Sequence, residues 1–122
     1  MKIRIRGNSV RYRLTMSEVE AFSKNGFYEE RTDFGAGQFR YAVKAAPGRA
    51  ELSAIFEDNT ITLMVPADTA AGWARSSRVG FSNDMALPDG QRLSLLLEKD
   101  FTCLDETGED QSDNYPNPKA AP

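Results

Sequence analysis

The feature of this sequence that most restricts its fold is a repetition of the apolar pattern after 51 residues. The turn residue Asn8 falls on Asn59, and eight apolar positions of the first half have an apolar counterpart in the second. The apolar pairs are Ile3/Ala54, Ile5/Phe56, Val10/Ile61, Tyr12/Leu63, Leu14/Val65, Val19/Ala70, Phe22/Trp73 and Tyr28/Val79. Self-similarity at a fixed period is typical of a repeated supersecondary unit. We therefore expect one duplicated domain over residues 1–104, with repeats at 1–46 and 50–104.

Repeat one has the pattern strand, turn, strand, helix, strand, strand. Residues 2–6 and 10–14 alternate between polar and apolar side chains, as half-buried strands do, and Gly7-Asn8 suits a two-residue hairpin turn. Thr15 and Glu18 have capping-box spacing for a short helix that ends at Gly26. Further strands are expected at residues 27–33 and 39–44.

Repeat two follows the same order, with a longer loop expected before its last strand. Strands are predicted at residues 52–56 and 61–65 around the turn Asp58-Asn59, and a second helix opens with Pro66 and Asp68. The last strands are predicted at residues 79–81 and 93–97. The short connections favour antiparallel neighbours. The predicted fold class is α+β: a β-rich, internally duplicated (ββαββ)×2 domain with two short helices, its mostly antiparallel strands forming a sheet or an open barrel.

The residue types present narrow the chemistry. The 122 residues include no histidine and one cysteine, so a single chain lacks the residues for Ser-His-Asp or Cys-His catalysis and for an intrachain disulfide. Cys103 is expected to be a half-buried structural thiol, because no neighbouring base would generate the thiolate. The N-terminal residues alternate instead of forming the apolar segment of a secretory signal. We expect a cytoplasmic protein with no cofactor and no bound metal, and an enzyme is the less favoured class.

The C-terminal residues 105–122 form an acidic, proline-spaced tail with few large apolar side chains, for which no regular structure is expected. The start of the chain, KIRIRGNSVRYRLT followed by SEV, and its end, EKDFTCLD followed by EDQSDNYPNP, resemble a family of short uncharacterised bacterial proteins, a domain of unknown function. The resemblance spans nearly the whole chain. It implies a bacterial, intracellular, free-standing domain, and it brings no functional residues with it.

The most distinctive local feature is the charge on the first predicted hairpin. Alternation places five cationic side chains on one side of it: Lys2, Arg4, Arg6, Arg11 and Arg13. Arg4 then lies opposite Arg11 and Lys2 opposite Arg13, and directly opposed like charges destabilise a hairpin by up to about 1 kcal/mol. Two interpretations would offset this repulsion. Either Glu and Asp from neighbouring strands, such as Glu29 or Glu30, or the acidic tail lie alongside, or the arginines bind an anion such as phosphate, polyphosphate or a nucleic-acid backbone.

The equivalent face of repeat two carries Ile55, Thr62 and Met64 in place of arginines. We expect this face to be covered by the tail, by Phe101 and Leu104, or by a second subunit. Glu98 and Asp100 would share one face of a strand and provide half of a magnesium site, although solvated acids are the favoured interpretation.

The leading hypothesis is a non-enzymatic binding or interaction module whose basic hairpin takes an anionic ligand or an acidic partner. One alternative is a metal-dependent phosphohydrolase of polyphosphates or nucleotides, in which arginines hold the phosphates. The other is a structural subunit that dimerises through the apolar face of repeat two. A membrane partner is not expected, and nucleic acid is disfavoured because the net charge is −3. The aromatic residues Tyr12, Phe39, Tyr41 and Trp73 are predicted to lie in the core rather than to stack on bases.

Overall fold

The order of secondary-structure elements runs twice through the chain. The computed structural model describes residues 1–102 and 110–117, so Cys103 and Leu104 lie outside the described residues. The elements are β1 (Lys2–Ile5), β2 (Ser9–Leu14), α1 (Met16–Asn25), β3 (Phe27–Asp33), β4 (Gln38–Ala46), β5 (Ser53–Glu57), β6 (Thr60–Pro66), α2 (Ala67–Ala70), a 3₁₀ turn (Trp73–Arg75), β7 (Gly80–Ala86) and β8 (Arg92–Lys99). The predicted β-rich α+β class is confirmed.

The strands form two four-stranded sheets, and each sheet contains strands from both repeats. The first sheet has the order β1-β2-β8-β7 and the second the order β3-β4-β6-β5. Every hairpin is antiparallel, whereas the two central pairs, β2 with β8 and β4 with β6, are parallel. Each sheet therefore joins one hairpin of repeat one to one hairpin of repeat two.

The asparagines shared by the two repeats occupy equivalent places in this topology. The Asn8 carbonyl accepts a hydrogen bond from the Ser94 N–H at 3.0 Å, and the Asn59 carbonyl accepts one from the Arg40 N–H at 3.0 Å. Each hydrogen bond extends the parallel strand pairing by one residue, into the hairpin turn. Asp58 and Asn59 have φ values of 53° and 55°, the left-handed pair that a tight hairpin turn with matching twist requires. Both predicted two-residue turns are present.

The expected correspondence between the repeats is wrong beyond the helices. Tyr28 pairs with Val43 and Phe81 with Leu97 at matching register positions, so Phe81 and not Val79 is the counterpart of Tyr28. The first five residues of the long loop expected before the last strand, residues 82–86, in fact belong to β7. The sequence of β7 does not alternate clearly between polar and apolar residues, because the inward-facing residue between Phe81 and Met85 is the polar Asn83. The Asn83 side chain donates a hydrogen bond to the Leu52 carbonyl.

Aromatic side chains fill the space between the two sheets. Tyr12 is fully buried and meets Tyr41 edge to face at 6.2 Å between ring centroids, and Phe39 stacks on Tyr41. The Tyr12 hydroxyl donates to the Ile61 carbonyl at 2.7 Å, and burial raises the pKa of this phenol far above its ordinary value. The assignment of these residues to the core is confirmed.

Equivalent residues of the repeats also meet each other at the helical end of the molecule. Phe22 and Trp73 pack edge to face at 6.4 Å between centroids, and the Ala74 N–H donates to the Ser23 hydroxyl at 3.1 Å. Because each contact joins a residue to its counterpart, an approximate twofold axis passes between α1 and the 3₁₀ turn. The helical segments lie at one end of this axis and the four hairpin turns at the other.

The start of α1 is held by both its own capping box and the tail. Thr15 and Glu18 form the predicted capping box. In addition, the Asp113 carbonyl accepts from the Met16 N–H at 2.9 Å, and its carboxylate accepts from the Ser17 N–H at 3.2 Å. Residues 110–117 are thus anchored at the positive end of the helix dipole, where a carboxylate is stabilising.

Replacing Gly80 with alanine is expected to lower the free energy of unfolding by roughly 1–3 kcal/mol, the usual cost of adding volume to a packed site. A β-carbon there would lie 2.1 Å from the Leu97 carbonyl oxygen and 2.9 Å from the Glu98 α-carbon. Gly72→Ala is the matched control, since its β-carbon meets no described atom within 4 Å. Urea unfolding measures both variants, and a wild-type midpoint for Gly80→Ala would contradict this packing.

Glu18 is expected to make stability depend on pH. Burial would raise the pKa of its carboxyl, but hydrogen bonds from the Met1 amino group and the Thr15 N–H hold the pKa below its ordinary value of 4.5. A carboxyl of this kind stabilises the fold above its unfolded pKa, and the stabilisation is lost as the pH falls through the folded pKa. Glu18→Gln should therefore be less stable than wild type at pH 7, with the difference shrinking below pH 4.5. Thermal unfolding between pH 2.5 and 7 tests this, with the exposed Glu20→Gln as the control; parallel curves for Glu18→Gln and wild type would contradict it.

Candidate functional site

The five predicted cationic residues lie together on the outer surface of the first sheet. We call this surface the cationic face; it consists of Lys2, Arg4, Arg6, Arg11 and Arg13. Lys2 pairs with Arg13 and Arg4 with Arg11 across β1 and β2, which confirms the predicted register. The alternate residues of β2 point inward and are buried, so the strand presents its charges outward and its hydrocarbon to the core.

Among the described residues, the acid that accompanies Arg11 and Arg13 comes from the neighbouring strand β8. Glu98 Oε1 accepts from Arg11 Nε at 2.7 Å and from Arg13 Nε at 2.8 Å. Glu29 and Glu30 belong to β3 of the second sheet, and Glu30 contacts the Met1 amino group at 3.0 Å, so the expectation that these two acids offset the arginines is wrong. The parallel pairing of β2 with β8, which local pattern cannot indicate, puts Glu98 in register with Arg13.

A second carboxylate lies at the helical edge of the cationic face. Asp100 is buried, and its Oδ2 lies 3.2 Å from Lys2 Nζ. Glu98 and Asp100 are therefore engaged by cations, which argues against their serving as half of a magnesium site. Among residues 1–102 and 110–117, no group of three or more His, Cys, Asp or Glu is placed to hold a metal ion.

Arg4 and Arg6 differ from the other arginines of the cationic face. Both are exposed, and neither forms an ion pair with any residue that the structure describes. Arg4 and Arg11 line two neighbouring surface depressions. One has a volume of about 310 Å³ and also contacts Lys2, Ile3 and Arg13; the other has a volume of about 200 Å³ and also contacts Arg6 and Ser9. Each of the five cationic residues thus borders at least one of the two depressions.

The second sheet does not repeat this arrangement. The β8 position of Glu98 corresponds to Lys44 in β4, next to Met64 of β6. Ile55 is half-exposed. Phe101, proposed as a cover for this face, instead packs on Tyr115 of the tail, with ring centroids 5.8 Å apart. The cationic face is therefore a property of one repeat only.

One opposed arginine pair was not predicted from the sequence. Arg31 and Arg40 lie opposite each other in β3 and β4, on the outer surface of the second sheet. Pairing residue 33 with residue 38 across the predicted loop would have located them. Both are exposed. They provide an internal comparison for Arg4 and Arg11, with the same residue types in the same cross-strand geometry.

The sequence of residues 1–119 matches a family described as "Family of unknown function (DUF7009)". The chain belongs to this family. DUF7009 thus covers both repeats and most of the tail, which confirms the resemblance to an uncharacterised domain family. Neither a curated protein nor a solved structure matches the chain. In the described part of this DUF7009 chain, no helix combines the length and the apolar character needed to span a membrane.

Removing the Glu98 carboxylate is expected to destabilise the fold by roughly 1–2 kcal/mol, because hydrogen bonds to charged groups are lost and Arg11 and Arg13 are left partly buried without their counterion. The loss in Glu98→Gln should shrink in 0.5 M NaCl, which screens the exposed arginines. Glu29→Gln, on the second sheet, is the control and should unfold like the wild type. Chemical unfolding at two salt concentrations measures both effects, and equal losses in the two variants would show that Glu98 is not the counterion.

Proposed function

We propose that this DUF7009 protein binds an anionic ligand bearing phosphate groups on its cationic face, without turning it over. The observation that carries the proposal is the state of Arg4 and Arg6, whose guanidinium groups border the depressions and pair with no carboxylate of residues 1–102 or 110–117. A guanidinium presents several N–H donors in a planar fork that matches phosphate and carboxylate oxygens.

The shared carboxylate of Glu98 supports this proposal. It contacts Arg11 through Nε and Nη2 and Arg13 through Nε, using one oxygen for both side chains. These contacts orient the two guanidinium groups while leaving other N–H donors of each for a ligand. An arginine fixed in this way loses less conformational freedom on binding than one that moves freely in solvent.

The distribution of carboxylates favours binding over catalysis. Glu98 and Asp100 lie beside the cationic face, and each already contacts a cation of that face. A phosphohydrolase of this kind would need carboxylates free to bind a metal ion that activates water. The proposal therefore assigns the cationic face recognition of an anion through hydrogen bonds and charge alone.

We further propose that this binding takes place in the bacterial cytoplasm. One cysteine in 122 residues fits a reducing compartment, since the chain cannot form an intrachain disulfide.

The proposal predicts that inorganic tripolyphosphate raises the midpoint of thermal unfolding. A ligand at 100 times its dissociation constant adds about 2.7 kcal/mol, which moves the midpoint of a domain of this size by several degrees. Arg4→Gln/Arg6→Gln should weaken binding, measured by calorimetry, about tenfold or more, because charged hydrogen bonds are lost.

The matched control is Arg31→Gln/Arg40→Gln, which removes the same charge from the second sheet. Equal weakening in the two double variants would indicate non-specific attraction and overturn the proposal. A poly-glutamate peptide separates an acidic protein partner from a phosphate ligand: binding of the peptide in place of tripolyphosphate would assign the cationic face to a protein. Release of phosphate from tripolyphosphate in the presence of Mg²⁺ would show turnover and would also overturn it.

A further inference from the structure

All four hairpin turns lie at one end of the molecule. The parallel pairing of β2 with β8 brings the β1–β2 and β7–β8 turns together, and the pairing of β4 with β6 does the same for the other two. Large apolar side chains are exposed at this hairpin end: Ile5 is 58% exposed, Phe34 71% and Phe56 67%. Phe34 lies in the β3–β4 turn, whereas Ile5 and Phe56 lie beside the turns of the first hairpins of the two repeats.

An apolar groove of about 450 Å³ opens at the hairpin end. Its lining includes three pairs of equivalent residues from the two repeats: Ile5 and Phe56, Val10 and Ile61, and Phe39 and Leu93. Because each pair is related by the approximate twofold axis, that axis passes through the groove. Exposed apolar surface gathered in one place on a small domain is typical of an interaction site.

Opposite charges directly follow the groove residues Ile5 and Phe56 in the chain, and we call these two charged tips the rim. Arg6 precedes the turn of the first repeat, and its counterpart in the second repeat is Glu57, which is followed by Asp58. All three residues are exposed. Six of the ten residues that line the groove are thus related by a half-turn, whereas the charge at these two tips changes sign.

We propose that the hairpin end binds the hairpin end of a second copy of this chain, forming a twofold dimer. Arg6 of each copy faces Glu57 and Asp58 of the other, so the dimer leaves Lys2, Arg4, Arg11 and Arg13 for the anion of the proposed function. Ile5 of each copy packs against Phe56 of the other. This surface differs from the sheet face of Ile55 and Met64 that the sequence suggested for dimerisation, although Ile55 also lines the groove.

Charge complementarity identifies the occupant of the groove as a second copy. A twofold interface uses the same patch twice, so the patch must complement itself. A half-turn about an axis perpendicular to the internal axis can place each tip of one copy on the unlike tip of the other. The groove therefore supplies the apolar centre of the interface and its own complementary rim, and charged rims of this kind set partner choice and register.

The first experiment measures the oligomeric state by sedimentation equilibrium over a range of protein concentrations. We expect a concentration-dependent dimer whose dissociation constant rises at least tenfold in Phe56→Ser. Phe27→Ser is the matched control, because Phe27 is also a half-exposed strand phenylalanine but lies at the helical end. A monomer at every concentration would overturn the proposal, and equal weakening by both variants would place the interface elsewhere.

The second experiment exchanges the charges. Arg6→Glu and Glu57→Arg should each weaken the homodimer, because residue 6 of each copy then faces a like charge at position 57 of the other. Mixing the two variants should restore association as a one-to-one heterodimer, since both contacts then pair opposite charges. Dimers that are weakened singly but not restored in the mixture would contradict the proposed facing of the two tips.

Discussion

The structure depends on the two parallel strand pairs that join the repeats, β2 with β8 and β4 with β6. We call these two pairs seams. Each seam joins strands far apart in sequence, and each brings a hairpin of one repeat against a hairpin of the other. The candidate site depends on the first seam: Arg11 reaches Glu98 across 87 positions of the chain because β2 and β8 are in register. Contacts of such long range form only after a large loss of chain entropy, which makes them the slow part of folding.

Much of the local structure is predictable from the sequence, because turns and caps depend on neighbouring residues. Gly26 takes the left-handed conformation that ends α1, and Asp58-Asn59 forms the expected turn. The pairing between repeats is not predictable in this way, since alternation shows which face of a strand is buried but not which strand lies beside it. Glu98 was for that reason overlooked as the counterion. β7 was predicted too short because Asn83 takes an inward position where a packing side chain is the usual occupant.

The cationic face illustrates how a sheet can display like charges at a modest cost in stability. Arg11 and Arg13 are adjacent on one side of β2 and share a single oxygen of Glu98. A separate carboxylate for each arginine would occupy more of their donors and leave less positive potential at the surface. Arg4, opposite Arg11, remains exposed on the edge strand, where solvent screens its charge. The same oxygen therefore limits repulsion within the sheet while leaving its outer surface attractive to anions.

Each sheet combines one hairpin of each repeat, and this arrangement has a consequence for how such a chain can be assembled. A chain containing repeat one alone would leave the inner edges of β2 and β4 unpaired, and two such chains could complete each other's sheets by the same seams. Joining the halves through residues 47–52 turns that bimolecular encounter into an intramolecular step with an effective concentration on the order of millimolar. Pairing of the halves then no longer depends on how much protein is present. Covalent linkage also ends the requirement that both halves carry the same sequence, so that arginines can accumulate on the first hairpin of repeat one while Ile55 and Met64 occupy equivalent positions of repeat two.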